Sequence, residues 1–74
     1  MPEFISQAFG RVVKRYREAK GISQESLADV AGIHRTYVSK IELGKVRLGL
    51  DVSKRVADAL GEPLSRLIDE AEQE

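Results

Sequence analysis

The sequence predicts an all-α fold, a compact bundle of five short helices. Apolar residues recur at three- and four-residue spacings along most of the chain. Glycines stand where those apolar stripes stop, and strand-like alternation is confined to one short loop.

The first helix is expected over Phe4–Lys20, where Ile5, Ala8, Phe9, Val12, Val13 and Tyr16 share one face and Gly21 ends the pattern. The second spans Gln24–Ala31. Ser23 can cap it, and Glu25 lies in the first turn, where the helix dipole favours negative charge. Leu27, Ala28 and Ala31 share its buried face, with Ala28 small enough for a close helix crossing, and Gly32 stops it. Ile33 plugs the corner. The third helix, Arg35–Leu43, turns Val38, Ile41 and the flank of Tyr37 inward and is closed by Gly44. Residues 45–49 form a loop. A fourth helix, Leu50–Leu60, carries Leu50, Val56, Ala59 and Leu60 inward, with Val52 and Ala57 flanking. Gly61 ends it, and Pro63 suits the first turn of a fifth helix, Pro63–Glu72, with Leu64, Leu67, Ile68 and Ala71 on one side. Repeats and long linkers are missing, so residues 1–74 are expected to form one domain.

Composition narrows the function classes. A chain of 74 residues buries roughly 60% of its unfolded surface. Its 42% apolar content with few aromatics suits a core of Leu, Ile, Val and Ala. With no cysteine, neither a disulfide framework nor a thiolate metal site can form. No apolar run reaches membrane-spanning length and no signal-peptide pattern opens the chain, which gives a cytoplasmic, nucleoid-associated expectation. One histidine, no phosphate-cradling glycine loop and no metal-ligand cluster argue against catalysis, and no cofactor, metal or small-molecule ligand is expected. Asp69, Glu70, Glu72 and Glu74 read as a solvated helix end. Twelve Lys and Arg balance twelve Asp and Glu, yet the charge is polarised. Residues 11–47 hold nine basic and four acidic side chains, and residues 48–74 hold three and seven. A positive face for phosphates and an acidic tail left to solvent follow as expectations.

Residues 23–43 have the layout of a helix-turn-helix, the second helix of which enters the major groove of DNA. At about 100° per residue, Arg35, Thr36, Ser39, Lys40 and Leu43 share the arc opposite the buried stripe. Taken singly, Arg35 and Lys40 are ordinary solvated charges. Their placement with the glycine turn and the buried stripe makes them candidate readers.

Arg17, Gly21-Ile22-Ser23-Gln24-Glu25-Ser26-Leu27-Ala28, Gly32-Ile33, Tyr37-Val38-Ser39-Lys40-Ile41-Glu42 and Gly44-Lys45 together resemble the lambda-repressor-like group of Cro/repressor-type (XRE) regulators, in register over about residues 9 to 68. Within the group, the run from His34 to Ser39 and the short length resemble small stand-alone regulators, of which restriction–modification controllers are one type. The resemblance implies that Arg35, Thr36, Ser39 and Lys40 face base edges. Gln24, Tyr37, Gly44 and Lys45 would serve the phosphate backbone, and Arg17 would brace Glu42. Three positions depart from the group: His34 replaces the usual Ser, Thr or Asp cap, Leu43 an often polar residue, and Gly49 a serine cap.

A single motif reads few base pairs, so a homodimer on double-stranded DNA is expected, with half-sites about 34–36 Å apart. Leu64, Ile68 and Ala71 are the candidate dimer surface. Leu64 also serves the core with Leu67, while Ile68 and Ala71 project towards a partner with Val46 or Leu48. The alternative is that all four apolar residues of the fifth helix close the monomer core. The expected function is a sequence-specific transcription regulator that represses by occluding RNA polymerase or activates by touching it. An antitoxin or adaptor-type protein–protein module on the same bundle is the rival.

Overall fold

In a computed structural model that describes residues 3–74, the chain forms helices α1 (Ile5–Ala19), α2 (Gln24–Ala31), α3 (Arg35–Glu42), α4 (Leu50–Leu60) and α5 (Leu64–Glu72). The first two positions of the expected 1–74 unit lie outside the described residues. No strand occurs among the described residues, and residues 45–49 are loop. Each helix end falls within one residue of its expected place. Pro63 stands at the N-cap of α5 rather than inside its first turn.

Local chemistry explains the boundaries. The Ser23 hydroxyl accepts the Ser26 N–H at 3.0 Å and opens α2. Gly32 closes it in the left-handed region (φ 71°), and the Ile33 N–H returns to the Ala28 carbonyl at 3.0 Å. At α3 the departure from the usual cap is functional: His34 Nδ1 accepts the Thr36 N–H at 3.1 Å. Gly49 gives α4 no side-chain cap, and the Ser53 hydroxyl instead donates to the Gly49 carbonyl at 2.9 Å. At α1 the Phe4 N–H donates to the Gln7 side chain at 2.9 Å.

α1 runs through the bundle and packs on α3, α4 and α5, while α2 packs on α3 and α4. Phe9, Val12, Val13, Leu27, Val38, Ile41, Val56 and Leu67 are the large side chains fully enclosed between them. Two expected faces shift. On α4 the buried stripe is Ser53, Val56, Ala57 and Leu60, and Leu50 is 75% exposed. At about 100° per residue, Leu50 sits about 70° off that stripe's midline, which leaves it at the edge of the packed arc. On α5, Ala71 is 4% exposed rather than projecting, because it lies one turn beyond Leu67 on the same face and α1 covers both.

Glu70 and Glu74 of the acidic tail are ion-paired rather than simply solvated, while Asp69 and Glu72 stay exposed as expected. Arg11 pairs with Glu3 at 2.6 Å and Glu74 at 2.8 Å, and Arg15 with Glu70 at 2.6 Å. The Tyr16 hydroxyl donates to Glu70, and Glu62 joins Lys20 at 3.1 Å to Arg66 at 2.7 Å. Acids of α5 and its approach thus pair with Arg11, Arg15 and Lys20 along α1.

Two outcomes follow from this packing. A Cβ on Gly10 would stand 2.0 Å from the Ile41 carbonyl oxygen, so α1 and α3 approach through a glycine. Gly10→Ala gains about 1 kcal/mol of helix propensity but forces a separation costing roughly 1–3 kcal/mol or more. The thermal midpoint should fall by several degrees in a circular-dichroism melt; a rise would show that the crossing has slack. The second outcome concerns acid. The Tyr16 hydroxyl and Arg15 hold the Glu70 carboxyl below the ordinary range, and Lys20 and Arg66 do the same for Glu62. Carboxyls depressed in the folded state contribute stability above their unfolded value of about 4.3, and lose it as pH falls through the lowered folded values. Melts between about pH 6 and pH 3 should show a smaller drop in midpoint for Tyr16→Phe combined with Arg15→Gln than for wild type. Equal drops would remove the Glu70 contacts from the acid response.

Candidate nucleic-acid interface

The α2–turn–α3 unit buries Leu27, Ala28 and Ala31 of one helix against Val38 and Ile41 of the other, with Ile33 half-buried at the corner. Burying this side fixes the opposite side of α3. Arg35, Thr36 and Lys40 are exposed there, Ser39 is half-buried among them, and Leu43 is 63% exposed just past the last turn. Tyr37 is half-buried and packs on the core. The sharp exit from α3 passes through Gly44, with the Lys45 N–H donating to the Lys40 carbonyl at 2.9 Å, and Lys45 stands exposed beyond it.

Glu42 holds this unit in place. Its side chain is 2% exposed and meets three donors. Arg17 Nε and Nη2 donate to its two oxygens at 2.6 and 3.0 Å, and Gln24 Nε2 donates at 3.0 Å. Arg17 Nη1 also donates to the Ile22 carbonyl at 2.8 Å, tying down the loop between α1 and α2. The carboxylate in turn favours the charged guanidinium, raising the Arg17 pKa. Among the described residues, no buried side-chain polar atom lacks a hydrogen-bond partner.

Of the residues singled out in the sequence, the structure gathers Arg35, Thr36, Ser39 and Lys40 on one face, with Lys45 at its end. Gln24 behaves differently. One N–H of its amide is committed to Glu42, which orients the side chain inward, while its main-chain N–H stands in the open first turn of α2. Its role in fixing Glu42 escaped the sequence reading, because the partner lies 18 positions away and only the folded motif brings them together.

Ion pairing sorts the cations. Among the described residues, Arg11, Arg15, Arg17, Lys20, Lys54 and Arg66 each pair with a carboxylate. Arg35, Lys40, Lys45 and Arg47, on α3 or the loop after it, do not, and neither do Lys14 of α1 and Arg55 of α4. Arg47, which the sequence reading did not single out, is a cation in a loop that carries no acid.

A model of the helix-turn-helix family matches residues 13–67. Control protein C.BamHI of Bacillus amyloliquefaciens is 39% identical over 70 residues, which cover 93% of this chain and 86% of that protein. A longer protein of Methanocaldococcus jannaschii is 38% identical over 66 residues, 89% of this chain, and the chain spans only 21% of that relative's length. Among solved structures, the restriction-modification controller protein C.AhdI from Aeromonas hydrophila superposes with a TM-score of 0.80 at 35% identity, covering 84% of this chain and 94% of that one.

Removing either partner of the Glu42 cluster strands the other in a confined site. Glu42→Ala and Arg17→Ala should each cost about 3 kcal/mol, read as a lowered urea midpoint. The apolar pair Arg17→Met with Glu42→Leu should recover much of that loss. Single variants costing under about 1 kcal/mol would instead class the pair with exposed surface bridges.

Proposed function

Because the chain belongs to the helix-turn-helix family of DNA-binding transcription regulators, we propose that it binds operator duplex sequence-specifically as a homodimer, with α3 in the major groove. The observation that carries this reading is the cluster of four exposed, unpaired cations on α3 and the loop after it, in a chain where Arg11, Arg15 and Lys20 are neutralised. Arg35 and Lys40 suit guanine O6 and N7, the Thr36 methyl suits thymine, and Ser39 supplies a hydroxyl between them. The main-chain N–H of Gln24, the Tyr37 hydroxyl, Gly44 and Lys45 flank these as phosphate contacts.

Self-association is supported by apolar surface away from α3. Ile5 is 49% and Leu50 75% exposed, and with Leu48 and Ile68 they line a groove of about 290 Å³. Ile68 and Leu64 are half-buried and accessible to a partner, whereas Ala71 is enclosed. Two copies joined near this groove would present paired recognition helices to half-sites about one DNA turn apart.

The likeness to restriction-modification controllers supports an autoregulatory role near the nucleoid. Occluding RNA polymerase is the simplest route to repression, and contact with polymerase is the route to activation. The protein acts without a cofactor or catalytic step in this reading. No helix among the described residues is long and apolar enough to cross a membrane. The adaptor reading draws on Leu43, 63% exposed beside the reading arc. Free Arg35 and Lys40 on the same arc weigh against it.

Selection of random duplexes by wild type and Arg35→Ala, at two salt concentrations, tests the proposal. Wild type should enrich a two-fold-symmetric site. Arg35→Ala should relax one position in each half-site at a cost of about 1–3 kcal/mol. Weak, salt-sensitive binding without enrichment would overturn sequence-specific regulation and favour the adaptor.

A further inference from the structure

Phe4 is 49% exposed, an aromatic side chain left outside the core at the entry to α1. Its ring is not idle: the Arg47 guanidinium carbon lies 3.7 Å from the ring centroid. We infer that Phe4 is a platform that holds Arg47 as a further phosphate-binding residue, carrying the contacts proposed at Gly44 and Lys45 further along the loop before α4. The inference rests on the DNA-binding reading above.

Three features of the loop support it. Lys45 and Arg47 are exposed while Val46 and Leu48 are half-buried, so the apolar residues hold the loop and both cations are left to solvent. The loop is anchored at each end to the first turns of α1. Gly44 lies against Gln7, where a Cβ would meet the Gln7 side chain at 3.1 Å, and the Leu48 N–H donates to the Ser6 hydroxyl at 3.0 Å. No carboxylate pairs with Arg47 among the described residues, unlike the arginines of α1.

Stacking also suits the chemistry of phosphate binding. A guanidinium lying over a ring face is attracted by the ring quadrupole, while the N–H donors at its edge stay free for a bidentate contact. A free arginine would lose rotamer freedom on binding; one already held on Phe4 loses less.

The test is a salt titration of fluorescence anisotropy, using an operator duplex obtained by the selection above and an unrelated duplex of equal length. Arg47→Ala should weaken both about tenfold, the scale of one charge-assisted hydrogen bond. It should also reduce the slope of log K against log salt by about 0.9. Phe4→Leu, which keeps apolar bulk but has no ring, should weaken both about two- to fivefold, and Phe4→Trp should restore binding. Melting midpoints of the Phe4 variants should match wild type, separating the platform from a packing role. An unchanged slope in Arg47→Ala overturns the contact, and full binding by Phe4→Leu overturns the platform. Arg35→Ala, run alongside, should lose discrimination between the duplexes. If it does so while Arg47→Ala keeps its slope, the regulator reading stands and this inference falls. Wild type that binds neither duplex overturns both.

Discussion

Glu42 is a carboxylate shut away from water at the end of the recognition helix, and an ion in that position must be met by donors or expelled. It is met from two other helices, by Arg17 of α1 and Gln24 of α2, and the same Arg17 reaches back to the Ile22 carbonyl. Such a cluster is weak as a source of net stability, since hydrophobic residues of equal volume serve as well or better. Its value is geometric. Apolar packing tolerates small rotations of one helix on another, whereas a bidentate guanidinium and a third donor accept only a narrow range of positions. The angle at which α3 presents Arg35, Thr36 and Lys40 is set there.

Charge segregation is the second organising feature. A formal net charge of zero conceals two compensating arrangements. Acids carried by α5 and its approach are drawn onto Arg11, Arg15 and Lys20, so these three cations are locally neutralised. α3 and its following loop keep their positive charge because they carry one acid, Glu42, and that acid is buried and committed. An attractive field for a polyanion therefore needs no surplus of basic residues.

The helices and the motif were legible because their signals are local. Stripes at 3.6-residue spacing, a serine before α2 and a glycine after it are each read within a few positions. Features set by distant partners were hidden. Glu70 reads as solvated tail until Tyr16 and Arg15, 54 and 55 positions earlier, are seen beside it. Gly10 reads as a mid-helix propensity loss until Ile41 is found against it. Leu50 and Ala71 were misplaced for a shared reason: periodicity gives the phase of a stripe but not how far the neighbouring helix covers it. At the candidate interface, exposed Arg35, Thr36 and Lys40 follow from the periodicity of α3. The engagement of Gln24 with Glu42 and the Phe4–Arg47 stack depend on tertiary placement.

His34 carries a consequence for the chemistry at the mouth of α3. Because its Nδ1 accepts the Thr36 N–H, that nitrogen cannot also carry a proton, and the neutral ring must be the Nε2–H tautomer. Aspartate at this cap would accept the same bond and leave no donor behind, and serine or threonine would leave only a hydroxyl hydrogen close to the backbone. The imidazole satisfies the backbone with one nitrogen and keeps a donor on the other. The start of the recognition helix thus gains an extra hydrogen-bonding group, next in sequence to Arg35, of fixed polarity and on a ring whose orientation the cap itself sets.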